Sequence, residues 1–108
     1  MKELIFEEIK FVLGKNSTEN FQLIDMAKEE NENYWWFHLD NMPSGHCVIY
    51  SENPNKNQIK MAGLFVKENS KAKYFKKVSI IYTQLKNVKK TKTIGEVTLK
   101  GKTKVIKI

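Results

Sequence analysis

A chain of 108 residues that is 41% apolar and carries twelve aromatic side chains is one folded domain, too short for two independent cores and too aromatic for a disordered segment. Its one cysteine, Cys47, excludes an internal disulfide and a cysteine-only zinc site and suits a reducing, cytoplasmic setting; no apolar run nears the roughly 18 residues of a membrane span, so no transmembrane helix, signal peptide or membrane partner is expected. The net charge is +7, and all 19 basic residues are lysines, which excludes the bidentate arginine fork that reads guanine.

In chain order, Leu4 to Leu13 alternates loosely and predicts one or two short strands, closed by Gly14-Lys15-Asn16. Ser17 or Thr18 caps a helix through about Ala27, with Phe21, Ile24 and the stem of Lys28 on one face. Glu29 to Asn33 is a polar connector. Trp35 to Leu39 and His46 to Tyr50 are apolar, β-prone runs that flank the turn Asp40 to Gly45, with its Pro43-Ser44-Gly45 core. After a loop at Glu52 to Asn55, residues from Asn57 to about Lys71 show the spacing of a buried helical stripe at Ile59, Ala62, Gly63 and Val66. Val78 to Tyr82 is a nearly all-apolar strand. Shorter strands follow at Val88 to Thr91, Gly95 to Leu99 and Lys104 to Ile108, with Lys100-Gly101-Lys102 as a turn; Val97 and Leu99 point one way, Thr98 and Lys100 the other. The order of elements predicts an α+β fold: two helices packed on one face of a mixed or antiparallel sheet, in a single domain spanning residues 1–108.

The charge is segregated. Residues 1–66 hold six lysines against ten acids, and residues 67–108 hold thirteen against two, so a field of about +11 sits in the second part of the chain. Such a field attracts polyanions, and lysine meets phosphate as a flexible point charge, so recognition of backbone and shape is expected rather than reading of bases. An AT-rich genome, such as that of a parasite, a symbiont or a large DNA virus, also raises lysine and asparagine counts, but it does not explain the segregation. The run Lys86-Asn87-Val88-Lys89-Lys90-Thr91-Lys92 is the densest basic stretch. It reads either as a protected strand edge or, together with Lys71 to Lys77, as a contact surface.

Both histidines flank the Pro-Ser-Gly turn. His38 and His46 would need two further ligands to hold zinc, and Cys47 points to the opposite strand face, so no metal site and no cysteine–histidine nucleophile pair is expected. Ser44-Gly45-His46 lacks the nucleophile-elbow pattern. Strict alternation puts Phe37 and Leu39 in the core and Trp36, His38 and Asp40 on the other face. Two readings of that face stay open: a helix covers it, or it is a platform on which a base stacks. No glycine-rich phosphate loop is present, and no cofactor is expected. Gly14-Lys15-Asn16 with Asn20 reads as an ordinary strand-to-helix turn or as a phosphate site at a helix N-terminus.

These residues carry a resemblance. From Gly14 to Ile108 the sequence resembles the NFACT RNA-binding domain, once described as a domain of unknown function. The markers are Gly14-Lys15-Asn16…Asn20, Trp36-Phe37-His38-Leu39, Pro43-Ser44-Gly45-His46-Cys47-Val48, Asn69-Ser70-Lys71-Ala72, Ile81-Tyr82-Thr83, Val88-Lys89-Lys90 and Gly95-Glu96-Val97. Two positions depart from the pattern: Tyr34 stands where the family has an acid, and the Gly-Ser order of the turn is Ser44-Gly45 here. The family's domain is usually part of a larger ribosome-quality-control factor that binds tRNA and the large subunit of a stalled ribosome. A standalone form is reported to bind DNA, and this chain is expected to be a minimal standalone version.

The resemblance and the charge together imply a non-enzymatic module for tRNA or ribosomal RNA, with the ribosome as a partner and DNA as an alternative ligand. Its surface would join Lys15, Asn16, Asn20, Trp36, His38, Ser44, Gly45 and His46 to Tyr82, Lys86, Lys89 and Lys90, with lysines on phosphates and His38, His46 and Tyr82 stacking or hydrogen-bonding. The alternative is a metal-independent nuclease or phosphodiesterase using His38 and His46 as acid and base. A third is a protein–protein adaptor whose lysines only keep it soluble.

Overall fold

The central strands are apolar on both faces, and that decides the architecture. In the computed structural model, which describes residues 1–108, the order is β1 (Lys2–Phe6), β2 (Ile9–Leu13), α1 (Ser17–Glu30), β3 (Trp35–Leu39), β4 (Cys47–Ile49), α2 (Lys56–Glu68), β5 (Ser79–Gln84), a 3-10 turn (Leu85–Asn87), β6 (Val88–Lys90), β7 (Val97–Leu99) and β8 (Lys104–Lys107). Six strands form one sheet in the order β1-β2-β4-β3-β5-β8, and every neighbouring pair is antiparallel. Strands β6 and β7 make a separate hairpin. The α+β class is as expected, and the sheet is wholly antiparallel.

The helices, expected on one face, lie on opposite faces. Phe37, Leu39, Cys47 and Ile49 pack with Ala62 and Val66 of α2. Trp36, Val48 and Val12 pack with Leu23, Ile24 and Ala27 of α1 and with Leu85 and Val88. Alternation along β3 and β4 sends large apolar side chains both ways, so each face needs its own cover. Burial of each Leu or Ile in these clusters contributes about 1.5–3 kcal/mol.

Local chemistry sets the boundaries. Glu7 and Glu8 both have positive φ (50° and 68°) in the two-residue loop that joins β1 to β2, the geometry of a type I′ hairpin turn. The cap of α1 is Asn16, ahead of the expected Ser17 or Thr18: its side chain accepts from Glu19 N at 2.9 Å, and the Glu19 carboxylate accepts from Lys15 N at 3.0 Å. Asn55 and Gln58 close a reciprocal capping box at the start of α2. Tyr34 donates to Glu30 Oε2 at 2.7 Å and packs on Tyr50 with ring centroids 5.0 Å apart, which ties the end of α1 to the start of β3.

Candidate functional site

The start of α1 and the turn between β3 and β4 are locked together by their backbones. Gly14 N donates to His46 O at 3.0 Å, and His46 N donates to Asn20 Oδ1 at 3.0 Å. The approach is so close that a Cβ on Gly14 would lie 2.2 Å from Asn20 Oδ1, and one on Gly45 would lie 2.3 Å from Gly14 O. Only glycine fits at either position. Ser44 Oγ accepts from Leu39 N at 3.1 Å and donates to Gly45 O at 3.0 Å, which braces the turn. Gly14, Asn20, Ser44, Gly45 and His46 are therefore first of all the joint that holds this end of the fold in shape.

On the sheet face shared by Trp36 and His38, the Trp36 end lies under α1, and the His38 end lies under the β6–β7 hairpin. Trp36 is 2% exposed and packed under α1, so no base can stack on its ring, and the stacking-platform reading is set aside for this residue. Its Nε1–H donates to His46 Nδ1 at 3.1 Å, which leaves the His46 proton on Nε2, toward the Gly95 carbonyl. His46 is itself 2% exposed, and burial, with the neighbouring His38, pushes its pKa down to about 3. His38 stacks on Trp36 (centroids 5.7 Å, planes within 8°) and meets His46 edge-on at 5.1 Å. Its Nδ1 bonds the Leu39 carbonyl, and burial lowers its pKa as well. Both imidazoles are thus neutral at pH 7.

Tyr82 does not join them. It lies on the α2 face, 8% exposed and stacked on Phe37 at 5.0 Å, so the whole sheet separates it from the histidines. Its expected stacking role is corrected for the same reason as that of Trp36: both rings are core. Cys47 is fully buried on the α2 face, which raises its pKa, and no cluster of three or more His, Cys, Asp or Glu side chains stands close enough to hold a metal ion.

Two cavities open on either side of the joint. A polar one of about 410 Å³ is walled by Lys15, Asn16 and Ser17, by Pro43, Ser44 and Gly45, and by Asn69, Ser70 and Lys71 just past α2; it has no apolar lining residue. A larger one of about 540 Å³ lies between β3 and the β6–β7 hairpin, floored by Trp36, His38 and Ile81 and roofed by Gly95, Val97 and Leu99. Three stretches far apart in sequence thus meet around one cationic pocket.

Lys86, Lys89 and Lys90 line neither cavity. Lys90 Nζ lies 2.8 Å from both carboxylate oxygens of Asp25, so its charge is already matched by α1. Lys86 and Lys89 are exposed beside it. The lysine that shares the pocket with Lys15 is Lys71. It opens the segment Lys71-Ala72-Lys73-Tyr74-Phe75-Lys76-Lys77, in which Tyr74 is 89% and Phe75 51% exposed. Sequence reasoning noted these lysines but missed the aromatic pair. Its signal was available: two aromatics outside any apolar period, between four lysines, in a stretch free of acids from Asn69 to Gly95.

Fold and site define a small antiparallel α+β module whose lysine-bearing turns converge at one end of the sheet. The chain belongs to the family of the NFACT protein RNA binding domain, which it matches over residues 6–106. It is 30% identical over 82 residues to the Rqc2 homolog RqcH of Bacillus subtilis (strain 168), a match that takes in 76% of this chain and 14% of that protein. The fold is shared with the C-terminal part of the fibronectin/fibrinogen-binding protein of Streptococcus suis, with a TM-score of 0.90 and 24% identity over 99% of this chain and 44% of that one.

Proposed function

We propose that this chain is a non-enzymatic RNA-binding module that acts in ribosome-associated quality control in the cytoplasm, and that it holds the backbone of tRNA or ribosomal RNA. The observation that carries the reading is the acid-free pocket between Lys15 and Lys71, continuous with the exposed Lys71 to Lys77 segment. Lysines there meet phosphates as point charges, and Tyr74 and Phe75 offer ring faces to unpaired bases. The family's RNA-binding description and the relation to an Rqc2 homolog support the RNA and the setting.

The histidine pair fits a structural role better than acid–base catalysis. A nuclease needs one imidazole protonated near neutral pH, whereas burial disfavours the charged form of both His38 and His46. The test is binding of labelled total tRNA, single-stranded RNA and duplex DNA across a salt series, beside the variants Lys15→Glu and Lys71→Glu. Salt-steep binding that prefers tRNA and weakens in the variants supports the reading. Binding that is weak, equal for all three ligands and indifferent to the variants would point to a protein partner. Preference for the duplex would make this a DNA module, and cleavage of any ligand that is lost in His46→Ala would make it an enzyme.

A further inference from the structure

The two cavities are one cleft with two chemistries. They share Ser17, Asn20, Pro43 and Ser44 as a common wall. The smaller carries Lys15 and Lys71 and no acid. The larger carries Asp40 and Glu96 and no lysine, with apolar and imidazole surface between them. A phosphate is attracted to the first and repelled from the second. A flat heteroaromatic group with amino donors suits the second.

We infer that the cleft binds one unstacked nucleotide, with its phosphate between Lys15 and Lys71 and an amino-bearing base (adenine, cytosine or guanine) under the β6–β7 hairpin. The inference rests on the RNA-binding reading and adds a base-occupied site to it. The geometry supplies each part. Asn20 is 5% exposed, and its Oδ1 is taken by His46 N–H, so its NH2 remains as a donor at the wall between the cavities. His38 holds Nδ1 on the Leu39 carbonyl, which leaves Nε2 as a neutral acceptor for a base amino group. The hairpin roof is held down at its tip: Gly95 sits at φ 83° so close to α1 that a Cβ there would lie 2.6 Å from Ser17 Cβ. A volume of about 540 Å³ falls within the roughly 300–1,000 Å³ of small-molecule sites. Recognition of single unstacked bases by stacking and edge contacts is the usual way proteins read unpaired RNA.

The protein carries its own reporters. Trp36 and His46 both line the larger cavity and are joined by the Trp36 Nε1–H bond to His46 Nδ1, whereas Trp35 Nε1–H bonds the Glu52 carbonyl across the sheet. Nitrogen-15 NMR therefore gives two indole signals, one at the site and one as control. The experiment titrates the protein with a short cytidine-rich RNA, a uridine-rich RNA and an abasic backbone of equal length. The expected result is that the cytidine RNA moves the Trp36 indole and the Gly95 amide and leaves the Trp35 indole in place. The abasic backbone should move only the amides of residues 15–17 and 69–77 and bind about tenfold or more weakly. Uridine RNA should fall between the two. His38→Ala should narrow the gap between cytidine and abasic RNA, and Lys71→Glu should weaken both. If the lysine-segment amides move while the Trp36 indole is equally still with all three ligands, the base site is wrong and backbone binding stands. If no amide moves with any of them, both fall.

Discussion

A neutral histidine at the centre of the joint makes stability depend on pH in a predictable direction. The His46 pKa is about 3 in the folded protein against roughly 6.5 when unfolded, because burial beside Trp36 and His38 disfavours the imidazolium. Above pH 6.5 both states carry a neutral ring and nothing is lost. As pH falls from about 6.5 toward 3, the unfolded chain takes up a proton that the folded one refuses, and stability drops by up to about 1.4 kcal/mol per pH unit. His38, also lowered by burial, adds to the slope with the same sign. Urea unfolding at pH 7 and pH 5 should show the loss. His46→Asn keeps an acceptor for Trp36 and should flatten the slope; an unchanged slope would assign the effect to other groups. Gly45→Ala probes the same joint by steric means. Its methyl would meet the Gly14 carbonyl at 2.3 Å, and backbone cannot swing aside as a side chain can, so a loss of about 1–3 kcal/mol in urea unfolding is expected.

At the scale of elements, the segment from Lys71 to Lys77 separates stability from binding. Tyr74 is 89% exposed, so Tyr74→Ala should change the unfolding free energy by no more than about 0.5 kcal/mol. If its ring stacks on a base, the same change should cost about 1–3 kcal/mol in affinity for single-stranded RNA, measured by fluorescence titration. A variant that binds as well as the parent would leave the segment as lysines alone. How far elements were legible follows from their periods. Helix α2 was readable because its apolar spacing is regular, strands β3 and β5 because each is a short apolar, β-prone run, and the α1 cap was placed at Ser17 or Thr18, past Asn16, because all three are good caps. The side on which each helix packs was not readable. Trp36 and Phe37 are adjacent and equally apolar, so alternation alone names no core face, and both in fact are core. The joint was half legible: Gly14, Asn20, Gly45 and His46 stood out as motifs, but a motif does not say whether it grips a ligand or its own backbone. Lys71 reaches the pocket only because α2 ends beside the turn, a contact more than 25 residues distant in sequence from Gly45.

For the whole molecule, charge segregation becomes spatial. The acid-rich early part supplies β1, β2 and α1, and α1 already matches one lysine of the hairpin through Asp25 and Lys90. Lys15 and Lys71 face one pocket, and Lys73, Lys76 and Lys77 follow in the exposed segment beyond it, whereas Lys86, Lys89 and Lys92 lie exposed on and beside the hairpin. This separates two lysine groups that look alike in sequence. Each phosphate neutralised on single-stranded RNA should add about −0.7 to the slope of log affinity against log salt. Five lysines at the pocket and its segment would give a slope near −3.5 if all are engaged. Lys71→Ala should lower its magnitude by about one such step, whereas Lys90→Ala should leave it nearly unchanged, because that ammonium releases no counterion while it is held by Asp25. Asp25→Asn then becomes the decisive control. Freeing Lys90 should steepen the slope only if RNA reaches across the hairpin, so a slope identical to the parent's confines the contact to the end of the sheet where the turns converge, and a steeper one extends it over α1.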